Sequence, residues 1–158
     1  MKEIVTFFLS GRQYGVEVGN MQGIENYVGM SQTTDMPDCL KGIVMIRKEM
    51  IPIIDIRRIM TLPETEVSSA TKYVILRTMK GKIGIIADDI AQIVKVENNE
   101  IQPFPSLLHT EGTSYADYVI RDNQTLVLVI NPENLLEDDE WTAVNKVIED
   151  AKTGGNND

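Results

Sequence analysis

The sequence predicts an all-β fold of barrel or sandwich type, with one helix at its C-terminal end. Three observations carry that expectation. Short runs rich in Ile, Val and Tyr recur along most of the 158 residues, as in Ile4–Leu9, Tyr14–Val18, Ile43–Ile46 and Met50–Ile54. Turn signals such as Ser10-Gly11 and Lys80-Gly81 separate them, and no long helical pattern alternates with them as a βαβ fold requires. Apart from short helical pieces, the apolar spacing changes to that of a longer helix only after Glu137.

The elements follow in order. Ile4–Leu9 and Tyr14–Val18 read as a hairpin in which Tyr14, Val16 and Val18 alternate inward. Gly19-Asn20 opens a short helix, since Met21, Ile24 and Val28 share a face at helical spacing. Residues 29–37 have no apolar period and read as loop. Ile43–Ile46 and Met50–Ile54 form a hairpin around the charged tip Arg47-Lys48-Glu49. Pro52 lacks a ladder donor, which places the second strand at an edge or a bulge.

Asp55–Leu62 reads as a turn of helix and residues 63–70 as a polar linker. Lys72–Met79 and Lys82–Ala87 pair across Lys80-Gly81. Ile90, Ile93, Val94 and Val96 continue as strand, with a bend available at Ala91-Gln92. Pro103-Phe104-Pro105 is extended, because each proline restricts its own φ and its predecessor. Tyr115–Ile120 and Thr125–Ile130 form a last hairpin. In the tail, Asp138 or Asp139 caps a helix over residues 139–152 with Trp141, Val144, Ile148 and Ala151 on one face. Residues 154–158 are expected to be disordered.

Composition excludes several functions. A net charge of -9 is unsuited to a nucleic-acid partner, which demands clustered Lys and Arg. Eight acids and two lysines from Glu133 onward put most of that charge in the tail. No signal-peptide pattern opens the chain, and no apolar run is long enough for direct membrane insertion, so a cytoplasmic protein is expected. The single cysteine, Cys39, excludes an intrachain disulfide and reads as a small packed apolar residue.

A reaction is not expected either. The single histidine, His109, falls in a loop without metal-ligand spacing, and no phosphate-binding glycine loop occurs, so no metal and no cofactor are expected. Asp88 and Asp89 are adjacent, so in a strand they point to opposite faces; a hairpin-end acid is the better reading. What remains is recognition.

Gly42-x-x-x-x-Arg47 followed by Met50-Ile51-Pro52-Ile53-Ile54-Asp55-Ile56-Arg57 resembles the signature of the CheW-type chemotaxis coupling proteins, Gly-Val-x-Asn-Leu-Arg-Gly then Ile-Pro-Val-Ile-Asp-Leu-Arg. Four further segments resemble family motifs in the same order: Tyr14-Gly15-Val16-x-Val18, Gly84-Ile85-Ile86-Ala87-Asp88, Ile101-Gln102-Pro103-Phe104-Pro105 and Asn131–Leu136. The resemblance implies two small five-stranded SH3-like β-barrels packed on a shared hydrophobic core. They would span residues 4–137, with a C-terminal helix at 138–153. It also implies a non-catalytic adaptor that couples methyl-accepting chemotaxis receptors to the CheA histidine kinase. The receptors' cytoplasmic tip and the kinase regulatory domain would be its partners. With 158 residues there is no room for a fused receiver or kinase domain.

On its own, Arg47 reads as an ordinary exposed arginine; the resemblance makes it the receptor contact. Val18, Met21, Gly23 and Ile24, read alone as core or helix, then border the groove that receives the receptor tip. Lys72 and Tyr73 open a strand of the same groove, and Ile90 is the expected kinase contact on the other barrel. Three positions depart from the motif: Met45 replaces its Asn, Lys48 its Gly, and Gly23 the usual Glu. All three lie in the receptor-facing part. Lys48 should strain the turn, since a residue with a Cβ in the left-handed region costs on the order of 1 kcal/mol. The alternative class is a stand-alone β-barrel that binds a small ligand or serves as an enzyme subunit, which needs convergent polar groups in an enclosed pocket.

Overall fold

A computed structural model describes residues 1–33, 35–103 and 115–155. Eleven strands form two sheets. β1 (Lys2–Leu9), β2 (Arg12–Glu17), β8 (Asp89–Val96), β9 (Gln102–Pro103), β10 (Ala116–Asp122) and β11 (Thr125–Ile130) make a six-stranded sheet, ordered β8-β1-β2-β11-β10-β9. β3 (Met21–Asn26), β4 (Leu40–Ile46), β5 (Glu49–Ile54), β6 (Lys72–Thr78) and β7 (Gly81–Ala87) make the other, ordered β3-β6-β7-β5-β4. The all-β expectation therefore holds, and the sixth strand of the larger sheet is only two residues long.

The five-stranded sheet closes on itself where Ser31, beyond β3, exchanges two backbone hydrogen bonds of 2.9 Å with Ile43 on β4. Gly42 makes that crossing feasible, because a Cβ there would stand 2.7 Å from the Cβ of Met30. Inside this barrel lie Val44, Ile51, Ile53, Tyr73 and Ile75. A separate cluster of Ile4, Val96, Tyr118, Ile120, Val127 and Val129 fills the six-stranded sheet. The largest cluster is shared: Phe7, Leu9 and Val16 from one sheet meet Val74, Leu76, Ile83 and Ile85 from the other.

Helix α1 (Ile56–Met60) follows β5, capped by the Asp55 carboxylate, which accepts from the Arg58 N–H. Helix α2 (Asp138–Gly155) docks on the shared core through Trp141, Val144 and Val147, with Ile148 and Ala151 packed beside them. It runs two residues into the segment expected to be disordered; residues 156–158 lie outside the described residues, as do Phe104, Pro105 and His109. Cys39 is buried as expected. Burial, reinforced by Glu140, pushes its thiol up to about 11.

Three local expectations are corrected. The helix read at residues 19–28 is instead one 3-10 turn, Val18–Asn20, followed by strand β3 paired with β6. Along β3, Met21, Gly23 and Glu25 are half-buried while Gln22, Ile24 and Asn26 are exposed. The inward positions thus include a glycine and an acid and the outward ones an isoleucine, which disguised the period of two. Pro52 is not on an edge strand, since β5 lies between β7 and β4, but the bulge alternative fits: the β4–β5 register shifts between Leu40 and Gly42, next to the Ile43–Pro52 pair. Its partner Ile43 directs its N–H and C=O to Ser31, so the Pro52 nitrogen faces β7, which pairs with β5 at Ile53 and Gly84 alone. The β6–β7 turn is Met79-Lys80, one residue earlier than read, with Thr78 opposite Gly81. By contrast, the bend expected at Ala91-Gln92 is present. The β1–β8 register slips there, and the Thr6 hydroxyl bonds both the N–H and the C=O of Gln92.

Candidate functional site

The β4–β5 hairpin turns on Arg47 and Lys48, whose φ values of 50° and 70° put both in the left-handed region. A two-residue hairpin loop demands this, and Asn-Gly is its usual solution. Strain retained at an exposed turn points to recognition rather than to folding. The Arg47 side chain is 83% exposed, and among the described residues its one ion pair is to Glu25 of β3 at 3.5 Å. An exposed pair of that length contributes little to stability, so the guanidinium is available to a partner.

Beneath Arg47 is a small recess at the barrel mouth, bordered by Gly23, Glu25, Ile46, Glu49, Ile51 and Ile75. Gly23 keeps it open, because a Cβ there would have only the Glu25 carboxylate within reach, at 3.9 Å. Arg47 and Gly23 are therefore neighbours in space. Ile24 is not with them: it pairs with Val74 on the opposite face of the strands, 38% exposed. Val18 and Met21 are half-buried against the shared core. Lys72 is half-buried at the start of β6, its amine donating to the Ser69 carbonyl at 3.3 Å.

Tyr73 does not line a surface. It is fully buried, stacks on Tyr27 at 5.1 Å between ring centroids, and donates its hydroxyl to the Val28 carbonyl. Burial, with Tyr27 beside it, pushes its phenol up to about 12. Its place is to hold β3 and the chain beyond it against β6. Sequence reasoning missed Glu25 and the exposure of Met45, which is 57% exposed next to the turn. The alternation along β3 could have found Glu25 had the segment been read as strand.

Ile90 lies at the start of β8, at the edge of the other sheet, half-buried on the shared core. On the same strand Ile93 is 58% exposed. A further apolar groove on that sheet, also missed, is lined by Phe8, Tyr14, Val119, Leu126 and Leu128.

The alternative of a ligand pocket fares less well. The polar cleft under the 64–67 linker contains Arg57, Asp88 and Thr65, and these groups satisfy one another. Arg57 Nη2 donates to Asp88 Oδ1 at 2.5 Å, and the Thr65 hydroxyl donates to the same oxygen. Burial alone would raise the Asp88 carboxyl. Hydrogen bonds from Thr65, the Ser10 N–H and Arg57 outweigh it and hold that carboxyl below its ordinary value. Among the described residues no group of three His, Cys, Asp or Glu could hold a metal ion.

The family model for the CheW-like domain matches residues 3–140. The chain belongs to the CheW-like domain family. The chemotaxis protein CheW of Treponema pallidum is 28% identical over 142 residues, covering 87% of this chain and 84% of that protein. The chemotaxis protein CheW of Klebsiella aerogenes is 24% identical over 146 residues, covering 92% and 88%. Among solved structures, the scaffolding protein TtCheW of Thermoanaerobacter tengcongensis superposes with a TM-score of 0.79 at 22% identity, covering 88% of this chain and 90% of that one. The two-sheet fold is thus that of a CheW-like protein, and the solved relative is named a scaffolding protein.

Proposed function

We propose that this chain is a chemotaxis scaffold, a non-catalytic adaptor that couples methyl-accepting chemotaxis receptors to a CheA-type histidine kinase. The observation that carries the reading is Arg47: the family motif's arginine is held in a strained, exposed turn with no structural partner stronger than a 3.5 Å ion pair. The receptor's cytoplasmic tip docks on that turn and over the edge strand β3, meeting Gly23 and Met21 on the Arg47 side and Ile24 on the other face of the strand, with Val18 and Lys72 at its borders. Tyr73 supports this face from beneath. The kinase regulatory domain docks on β8, where Ile90 and the exposed Ile93 present an apolar strand edge. The setting is the cytoplasm at membrane receptor arrays; among the described residues no helix is long and apolar enough to cross a membrane.

Mechanism is then geometric. The adaptor makes or breaks no bond; it holds the kinase where receptor conformation biases its activity, a coupling of binding free energies. The test is co-elution on size exclusion of the protein with a receptor-tip fragment, with the kinase regulatory domain, and with both. A ternary peak is expected. Binding to neither partner overturns the reading and leaves the fold alone standing. The departures at Gly23 and Lys48 tune the receptor contact. A Gly23→Glu, Lys48→Gly protein is expected to bind a receptor tip from a system whose coupler carries the usual motif at least threefold more tightly. Equal affinity removes that explanation of the departures.

A further inference from the structure

The two sheets are tied together at both ends of β7, by unlike means. At the Gly81 end the tie is helix α2. The Trp141 ring stands 3.5 Å from where a Gly81 Cβ would be, the Lys80 amine pairs with Asp138, and Glu133 accepts from the Met79 N–H at 2.9 Å. At the other end, seven residues and roughly 20 Å away along the strand, the tie is charged. Asp88 is the single residue between β7 of one sheet and β8 of the other. Its Oδ2 accepts from the Ser10 N–H in the β1–β2 turn at 2.8 Å, and its Oδ1 accepts from Arg57 at 2.5 Å.

Arg57, on α1 at the exit of β5, is 6% exposed and gives its other terminal nitrogen to the Ser10 hydroxyl at 2.5 Å. That hydroxyl in turn donates a hydrogen bond to the Pro63 carbonyl. The β1–β2 turn of one sheet, α1 and the 63–65 linker of the other, and the junction between the two sheets therefore converge on one guanidinium and one carboxylate. Among the described residues no buried side-chain polar atom lacks a partner.

We infer that the Arg57–Asp88–Ser10 cluster is a latch that sets the angle between the two barrels, and that without it they pivot about the α2 end. The shared core between the sheets is built mainly from aliphatic and aromatic side chains, and the hydrophobic attraction between them has no direction of its own. An ion pair with its arginine buried, tied by further hydrogen bonds to Ser10 and Thr65, is directional and favours one geometry. Such a pair adds little net stability over apolar replacement, which separates its positioning effect from its energetic one. The residues it positions lead to the two proposed docking surfaces. Arg57 follows the strand that begins after Arg47, and Asp88 precedes the strand that bears Ile90 and Ile93.

The test reads orientation directly and requires no partner. In a Cys39→Ala background, spin labels go on Leu126 of one sheet and Met45 of the other, both 57% exposed, and electron–electron double resonance gives their distance distribution. A control pair, Leu126 and Ile93, lies within the six-stranded sheet. In Arg57→Met, Asp88→Leu protein the between-sheet distribution is expected to widen at least twofold while the control pair is unchanged. An unchanged between-sheet width overturns the latch, and equal widening of both pairs shows general loosening instead and also overturns it. Asp88→Asn, which keeps the carbonyl acceptor and removes the charge, decides the matter should the double variant not fold. It is expected to widen the same distribution, and an unchanged width again overturns the proposal.

Discussion

Arg47 and Arg57 stand at the two ends of one strand, β5, and their surroundings are opposite. Arg47 is 83% exposed, sits in a left-handed turn and has one loose carboxylate neighbour. Arg57 is 6% exposed, on a capped helix, and fills both terminal nitrogens within 2.5 Å. Both belong to the same stretch of family motif, and a motif alone does not say which serves architecture and which recognition. Burial and filled donors mark the first. Exposure combined with a left-handed turn is the ground on which Arg47 is proposed for the second.

The comparison breaks most visibly at Arg57. Replacing it with alanine leaves the Asp88 carboxylate under the linker without its counter-charge, a change that costs about 3 kcal/mol. Urea denaturation should show that loss, and a loss below 1 kcal/mol would put Arg57 on the same footing as Arg47. Arg47→Glu should behave the other way. It is expected to leave the urea midpoint nearly unchanged and to weaken receptor-tip binding at least tenfold, about 1.4 kcal/mol, by titration calorimetry. A large stability loss with binding intact would make Arg47 structural.

Lys48→Gly sharpens the strain argument. Glycine at a φ of 70° removes the cost of a Cβ in the left-handed region, so the variant should gain about 1 kcal/mol. No gain would mean that the turn is relaxed. The smallest effect is the pH response of Asp88. Its folded carboxyl is held below the unfolded value, so its contribution is present above the unfolded pKa and is lost as pH falls through the folded one. The acid limb of the stability profile should be shallower in Asp88→Asn protein than in wild type.

How much of this could be read from the residues depended on where burial fell. The hairpin at residues 43–54 was legible because two runs of Ile and Val flank a charged tip. α2 was legible because Trp141, Val144, Ile148 and Ala151 keep helical spacing on a face that is in fact docked. β3 was not, since its exposed Ile24 and half-buried Gly23 and Glu25 invert the usual pattern. Tyr73 was assigned to a groove although β6 is covered on both sides and its ring is in the barrel. Asp88 was read correctly as a hairpin-end acid. Its pairing with Arg57 was not legible, because the contact spans 31 positions and no local pattern encodes it.

The central claim is that two separate surfaces, one on each barrel, serve two partners. The most direct measurement is an NMR titration of isotope-labelled protein with the receptor-tip fragment and, separately, with the kinase regulatory domain. The receptor fragment should broaden the amides of β3 and of Arg47 and Lys48, and the kinase domain those of β8 around Ile90 and Ile93. Broadening of one common set of residues by both, or of none by either, would contradict the account.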